Sequence, residues 1–165
     1  MNPRGEWETG GLGSATKSIA GIVALIANSE VFLDTNILLY AALGQDHAGH
    51  RWGRAREIAL SEDYCTSGQV LAEFYTVATR KGAPPLTPDE AREWIRVIAL
   101  KPCQPVTPDV VLAGIDHARR YQLSYWNGAI IAAAEKIGAR VLYSEDLGHG
   151  QTYGSVRVEN PFLPA

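Results

Sequence analysis

The stretch that decides the fold is VFLDTNILLY, residues 31–40, in which a short apolar run ends at Asp34 and a helical pattern follows. The three residues before Asp34 have the length and composition of a buried strand. Asn36 is a residue type that caps helices, so we predict that it caps a helix beginning at Ile37. The stretch therefore predicts a strand, an acid at its carboxyl end and a helix leading away.

The same alternation continues beyond residue 40. Further short strands are predicted near residues 64–66, 104–106, 140–143 and 155–158. Helices are predicted from about 47 to 60, from 68, from 88 to 100, from 108 and from 125 to 137, the last four capped by Ser67, Thr87, Thr107 and Ser124. Strands that alternate with amphipathic helices predict an α/β fold, here a three-layer α/β/α sandwich around a short, mostly parallel central sheet.

Four polar side chains have a route to one edge of this sheet. Asp34 ends the first strand, Asp146 follows the fourth, Glu73 lies on the helix after the second, and Asn127 lies in the first turn of the helix that leads into the fourth. In parallel sheets a site forms beyond the carboxyl ends of the strands. Alone, each acid has an ordinary explanation as a helix cap, a solvated helix residue or a turn residue. Their joint placement favours a shared crevice.

The chemistry of such a crevice follows from its charges. Carboxylates brought together repel one another, and a bound divalent cation relieves that repulsion. Oxygen-only ligands select Mg²⁺, with Mn²⁺ as a substitute, over softer metals. A hard cation held by carboxylates suits phosphoryl chemistry, in which it polarises the phosphate and activates a bound water.

Four segments resemble the PIN-domain family: residues 31–40, 67–74, 123–134 and 142–150, with 160–162 closing the domain. The resemblance covers about residues 31–162. It implies a Mg²⁺-dependent endoribonuclease of the VapC type, the toxin of a type II toxin–antitoxin system. It also implies an RNA substrate, a homodimer and a partner antitoxin that holds the enzyme inactive.

The resemblance also implies roles for individual residues. By position, Asp34, Glu73 and Asp146 are metal-site acids, Asn36 orients Asp34, and Ser144 supports the site. The fourth catalytic position holds Asn127, where the family pattern has Asp. This departure predicts a weakened or inactive nuclease.

Two alternatives stay open at this point. A weakened PIN module could serve as an RNA-binding or partner-binding protein, and Asn127 favours that reading. A phosphatase with Asp34 as nucleophile would usually carry a second acid two residues later, where Asn36 stands.

The charge balance bears on RNA binding. The net charge is −3, so contact with RNA would depend on local basic groups rather than a broad positive field. Candidates are Arg51, Arg54 and Arg56, then Arg80 with Lys81, then Arg119 with Arg120. The plain alternative is that these residues form solvated helix faces.

The remaining features concern location and assembly. Two cysteines without a metal-binding spacing indicate buried, reduced thiols in a cytoplasmic protein, and no apolar run is long enough for a membrane span. Residues 1–30 are predicted to be a flexible extension, with one short helix at 18–28. Surplus apolar surface at Trp94, Ile95 and Ile98 predicts a homodimer interface. The tryptophans, including Trp126, are predicted to lie in the core or an interface.

Overall fold

The computed structural model describes residues 29–61 and 63–164. In that part of the chain six strands and seven helices follow one another: β1 (Val31–Leu33), α1 (Thr35–Leu43), α2 (Gln45–Ala48), α3 (Arg51–Ser61), β2 (Thr66–Ser67), α4 (Gly68–Ala78), α5 (Pro88–Ile98), β3 (Cys103–Gln104), α6 (Pro108–Tyr121), α7 (Tyr125–Ile137), β4 (Val141–Tyr143), β5 (Thr152–Tyr153) and β6 (Val156–Glu159). The extension and the short helix predicted before residue 29 lie outside the described residues.

The strands form a four-stranded sheet in the order β1-β4-β6-β5 and a two-stranded sheet of β2 and β3, which adjoin at β1 and are mostly parallel. β1 pairs with β4, and β4 pairs with β6, both in parallel. On the other side of β1, a parallel bridge joins Phe32 to Cys65, and β2 then pairs with β3 in parallel. All these carboxyl ends therefore point to one edge, as the sequence predicted. Only β5 among the described strands runs the other way, against β6.

Helices cover this sheet in two groups around an apolar core. α6 and α7 pack against each other, and α7 also contacts β2, β3 and β6. The other group is built on α1, which contacts α2, α3 and α4, while α5 packs on α4. Phe32, Leu142 and Val158, from three neighbouring strands, are fully buried between these groups. The three-layer arrangement confirms the predicted fold class.

The predicted caps explain where four helices begin. Ser67, Thr87, Thr107 and Ser124 each accept a hydrogen bond from the backbone N–H three residues ahead. At Thr87 the side chain of Glu90 also reaches back to the cap, which completes a capping box. These local signals place the helices that carry Glu73 and Asn127.

Two predicted helix boundaries were wrong. α1 begins at Thr35 rather than Ile37, and its cap is Asp34 rather than Asn36. The helix predicted from 47 to 60 is divided at Gly49, where a φ of 59° is one that glycine adopts without the strain of a side chain. The break lets α3 start afresh at Arg51, beside the loop after β4.

Several predicted environments were also corrected. Ile98 is buried, and Trp94 and Ile95 pack against the core, so this face of α5 is not spare surface. Trp126 is 59% exposed, so of the two predicted environments, the core and an interface, the core is excluded. Both cysteines are free, but Cys103 is only half-buried. In the described part of the chain, no helix is long and apolar enough to span a membrane.

Candidate acidic site

Asp34 is the buried centre of the site. It follows β1 directly and is only 5% exposed. Its Oδ1 accepts a hydrogen bond from the Thr35 N–H at 2.6 Å, and its Oδ2 accepts one from the Ser144 hydroxyl at 2.7 Å. Strand pairing explains the second contact, because Leu33 is in register with Tyr143 and so brings the next residues of both strands together. Asp34 is thereby fixed at the carboxyl end of the sheet.

Glu73 reaches the same edge from α4. Its Oε2 accepts a hydrogen bond from the Thr35 hydroxyl at 2.9 Å. Thr35 therefore connects the first two acids, since its N–H binds Asp34 and its hydroxyl binds Glu73. This role of Thr35 was not predicted, although a hydroxyl directly after a strand-end acid was the available signal.

Asp146 is held by two residues of the predicted set. Its backbone N–H donates to the Ser144 hydroxyl at 3.2 Å, and its Oδ2 accepts from the Asn36 side-chain amide at 2.8 Å. Asn36 was expected to orient Asp34, but it orients Asp146 instead, because it lies one residue into α1 and faces the loop after β4. The Ser144 hydroxyl joins Asp34 to Asp146, because it donates to the first side chain and accepts from the backbone N–H of the second.

The three acids influence one another electrostatically. Burial raises the pKa of Asp34 from 3.8 to about 6, and the hydrogen bonds from Ser144 and Thr35 oppose that rise. The charges of Asp146 and Glu73 raise the pKa of Asp34 further. A buried carboxylate under repulsion from two neighbours is an electrostatic environment that a cation would stabilise.

The acids are neighbours without forming a closed metal cage. Within residues 29–61 and 63–164, no three His, Cys, Asp or Glu side chains are grouped so that they could hold a metal ion. The donor chemistry nevertheless fits a hard divalent cation, because the available ligand atoms are carboxylate, amide and hydroxyl oxygens. Asp34, Glu73 and Asp146 are the side chains that would hold it.

Asn127 lies in the first turn of α7. Its backbone N–H donates to the Ser124 cap at 3.2 Å. The preceding residue, Trp126, accepts a hydrogen bond at its carbonyl from Gln69, one turn before Glu73 on α4. The start of α7 thus lies against the helix face that carries the second acid. Among the described contacts, the Asn127 side chain makes no hydrogen bond.

An apolar groove of about 530 Å³ opens beside Glu73. One wall is the face of α4 from Gly68 to Val77, and the other is formed by Val106, Tyr125 and Trp126. Because Glu73 lines this groove and also accepts a hydrogen bond from Thr35, the groove lies next to the acidic crevice. Exposed Trp126 contributes an aromatic face to it.

A second charged group lies on the opposite side of Asp146 and was not predicted. The Tyr40 hydroxyl donates to Glu145 Oε1, and Arg51 Nε is 3.0 Å from Glu145 Oε2. Burial, followed by the contact with Glu145, raises the pKa of Tyr40 to about 12, so the hydroxyl stays protonated and remains a donor. The sequence signal was present, since Tyr40 follows Asn36 by one helical turn and Glu145 precedes Asp146.

Comparison with known proteins identifies the family and the fold. The sequence pattern of the family described as PIN domain matches residues 31–154. A search of curated proteins found no match.

Three solved structures share the fold. VapC20 of Mycobacterium tuberculosis, described as a sarcin–ricin loop cleaving toxin, is 22% identical with a TM-score of 0.56, over 69% of this chain and 88% of that one. VapBC2 of Rickettsia felis, bound to a promoter DNA fragment, is 14% identical with a TM-score of 0.52, over 78% and 96%. FitAcB of Neisseria gonorrhoeae is 16% identical with a TM-score of 0.54, over 80% and 98%.

Proposed function

This chain belongs to the PIN-domain family, and on that premise we propose that it is a metal-dependent endoribonuclease, the toxin component of a type II toxin–antitoxin pair. The observation that carries the proposal is the convergence of Asp34, Glu73 and Asp146 on one sheet edge, with Asp34 buried and repelled by the other two. Similarity to structures of VapC-type and FitAB-type toxins supports the same conclusion.

The proposed cofactor is Mg²⁺, with Mn²⁺ as a substitute, held by Asp34, Glu73 and Asp146. When bound, such an ion would polarise a phosphate and acidify a water for attack on phosphorus. The protein's own contribution is positioning. Ser144 and Thr35 fix the direction of Asp34, Thr35 fixes Glu73, and Asn36 holds Asp146.

Asn127 sets the expected level of activity. In the family pattern this position is acidic, and a neutral amide supplies an oxygen without the compensating charge. We propose that the chain is consequently a weak nuclease. The second candidate function, an RNA-binding or partner-binding protein without cleavage, is favoured by this same residue.

RNA cleavage separates these readings. We expect slow, Mg²⁺- or Mn²⁺-dependent cleavage of RNA that stops with a chelator and is lost in Asp34→Asn. The matched control is Asp63→Asn, which removes an exposed acid elsewhere and should leave cleavage unchanged. RNA binding with no cleavage in either metal would favour the second function. Turnover of a small phosphoester without RNA cleavage would favour the phosphatase alternative.

The groove beside Glu73 supports an antitoxin as the partner. Its apolar walls suit the apolar face of a helix, and its acidic end suits an arginine fork from that helix. We propose that the antitoxin inserts a basic side chain among the acids. Co-purification with the product of the neighbouring gene, repeated for Asp34→Ala and Glu73→Ala, tests this, because unchanged affinity in both variants would contradict it. We also propose a cytoplasmic location, where RNA and an antitoxin would be available to the protein.

We also propose a homodimer, but with an interface other than the predicted face of Trp94, Ile95 and Ile98. On α5 the exposed apolar residues are Val97 and, just beyond the helix, Leu100, which are 55% and 83% exposed. Sedimentation at micromolar concentration should show a dimer, and Leu100→Glu should shift it towards monomer. Leu60→Glu, at an exposed position on α3, is the control. A monomer at all concentrations would rule the dimer out.

A further inference from the structure

The group formed by Tyr40, Glu145 and Arg51 has no role in holding the three site acids, yet it is adjacent to them. Glu145 immediately precedes Asp146. Its two oxygens are engaged separately, one by the Tyr40 hydroxyl and the other by Arg51 at 3.0 Å. The Arg51 guanidinium carbon also lies 5.4 Å from the centre of the Tyr40 ring. The guanidinium is thus restrained by a carboxylate and by an aromatic ring.

α1 fixes the position of this group relative to the site. Asn36 and Tyr40 are four residues apart and so lie on the same helix face. Asn36 bonds Asp146, and Tyr40 bonds Glu145. One helix face therefore holds the two consecutive carboxylates Glu145 and Asp146. Glu145 in turn pairs with Arg51 and so keeps the guanidinium close to Asp146. The break at Gly49 contributes, because α3 begins at Arg51.

Arg51 retains capacity to bind an anion. Its side chain is 38% exposed, whereas that of Glu145 is 16% exposed. Its Nε is buried and close to Glu145, but the N–H is not aligned for a hydrogen bond. The four remaining N–H donors are on the two terminal nitrogens, the part of a guanidinium that pairs with phosphate in bidentate fashion.

A guanidinium beside the crevice would offset the repulsion between the site acids and RNA phosphates. An RNA strand must pass Asp34, Glu73 and Asp146, which repel its phosphates. Arg51 neutralises Glu145, which would otherwise add a fourth negative charge beside Asp146, and its two terminal nitrogens still offer N–H donors to a phosphate.

We propose that Arg51 binds a backbone phosphate of the RNA next to the cleavage position, with Tyr40 and Glu145 as its positioning residues. The inference rests on the proposed function and adds a binding residue to it. Arg51 anchors the strand by charge and direction, independently of base sequence.

Salt-dependent binding tests the inference directly. The full chain in a chelator is titrated with a single-stranded RNA oligonucleotide at several salt concentrations. Loss of one phosphate contact reduces the slope of log K against log salt by about 0.7 for single strands. Arg51→Gln should show that reduction and about tenfold weaker binding. Arg140→Gln, which removes an exposed arginine paired with Glu30 at the other end of β4, should leave the slope unchanged.

A second pair of variants excludes an indirect effect. If Arg51→Gln acted only by unmasking the Glu145 charge, then Glu145→Gln would restore binding in the double variant. We expect the loss of slope to persist in that background. An unchanged slope in Arg51→Gln, or recovery in the double variant, would overturn the inference. Absence of RNA binding and cleavage by the unaltered chain would instead overturn the proposed function. Melting temperatures of all variants establish that each is folded.

Discussion

Asp34 combines two demands that conflict. As the cap of α1 and the partner of Ser144 it supports the fold, but as a buried carboxylate beside two other acids it destabilises its own ionised form. Functional sites often carry such a cost in stability. Here the cost depends on pH, because only the ionised carboxylate suffers from burial and repulsion.

The sign of this dependence leads to a prediction for Asp34→Asn. Since the pKa of Asp34 is raised from 3.8 to about 6, the ionised side chain destabilises the fold above pH 6, and this penalty disappears below the ordinary value. Asparagine caps helices as well as aspartate does. Without metal, we expect Asp34→Asn to be more stable by about 1–3 kcal/mol at pH 7.5, with no gain near pH 4.

Denaturant titrations in a chelator at both pH values measure the difference. Asp63→Asn serves as the control, because its side chain is 98% exposed and should produce no comparable change. Equal stability of Asp34→Asn and the unaltered chain at pH 7.5 would contradict the raised pKa of Asp34.

Asn127 carries the second prediction at this scale. Asn127→Asp keeps the shape of the side chain, adds a full negative charge at the start of α7, and is favoured there by the helix dipole. We expect RNA cleavage in Mg²⁺ to rise by about 10²–10³-fold, which is typical for one positioned electrostatic group.

The gain should disappear when Asp34→Asn is added, and this double variant excludes a contaminating ribonuclease. Intact mass should be measured first, because Asn127 precedes Gly128 and such pairs deamidate to Asp. Equal rates for the two single forms at equal Mg²⁺ would show that the position is not limiting.

At the scale of elements, the crossing of α6 and α7 depends on two glycines. A Cβ at Gly114 would lie 2.8 Å from the Ala129 Cα. A Cβ at Gly128 would lie 2.8 Å from the Ala118 nitrogen and closer still to the Gly114 oxygen. The helix backbones therefore touch, and this close approach fixes the position of the first turn of α7 relative to α6.

Gly128→Ala should consequently destabilise the protein. Backbone atoms cannot move aside as a flexible side chain does, so we expect a loss of about 2–3 kcal/mol or more. Gly53→Ala is the matched control, because Gly53 is at an exposed position of α3 and a Cβ there meets nothing within 4 Å. It should stabilise by about 0.5–1 kcal/mol. Thermal melts of both variants decide the matter, and a neutral Gly128→Ala would contradict the close packing.

Elements could be predicted from the sequence wherever their signals are local. Ser67, Thr87, Thr107 and Ser124 were placed correctly, because a cap acts on a backbone group three residues away. The hairpin of β5 and β6 was missed, since its turn uses Gly154 at a φ of 59° and its strands are short.

In the candidate site too, local features could be predicted from the sequence, whereas contacts between distant residues could not. Asp34 and Asp146 could be assigned to one sheet edge from the ends of their strands, and Glu73 from its place on the helix after the second strand. Their partners could not, because Thr35 reaches Glu73 across 38 residues and Asn36 reaches Asp146 across 110. Which of two neighbouring acids Asn36 would hold depends on how the loop after β4 turns, and no local pattern encodes that turn.

For the whole molecule, the described core is built from residue 32 onward. Its buried apolar residues run from Phe32 to Val158. We predict that removing residues 1–28 shifts the melting temperature by less than about 2 °C, as expected for a change within 0.5 kcal/mol in a chain of this size. A truncated chain beginning at Ser29 is compared with the full chain by thermal melt. A large fall would show that the removed segment contributes to stability.

The pairing of β1 with β4 has a consequence for the order of events during synthesis. Asp34 emerges early, while Ser144, its hydrogen-bond partner, is 110 residues later. A ribosome adding about 5–20 residues per second needs roughly 5–20 s to cover that interval. Throughout it the growing polypeptide has its first acid but no crevice. The site is completed only after Ser144 and Asp146 have been added, and a product terminated before them lacks it altogether.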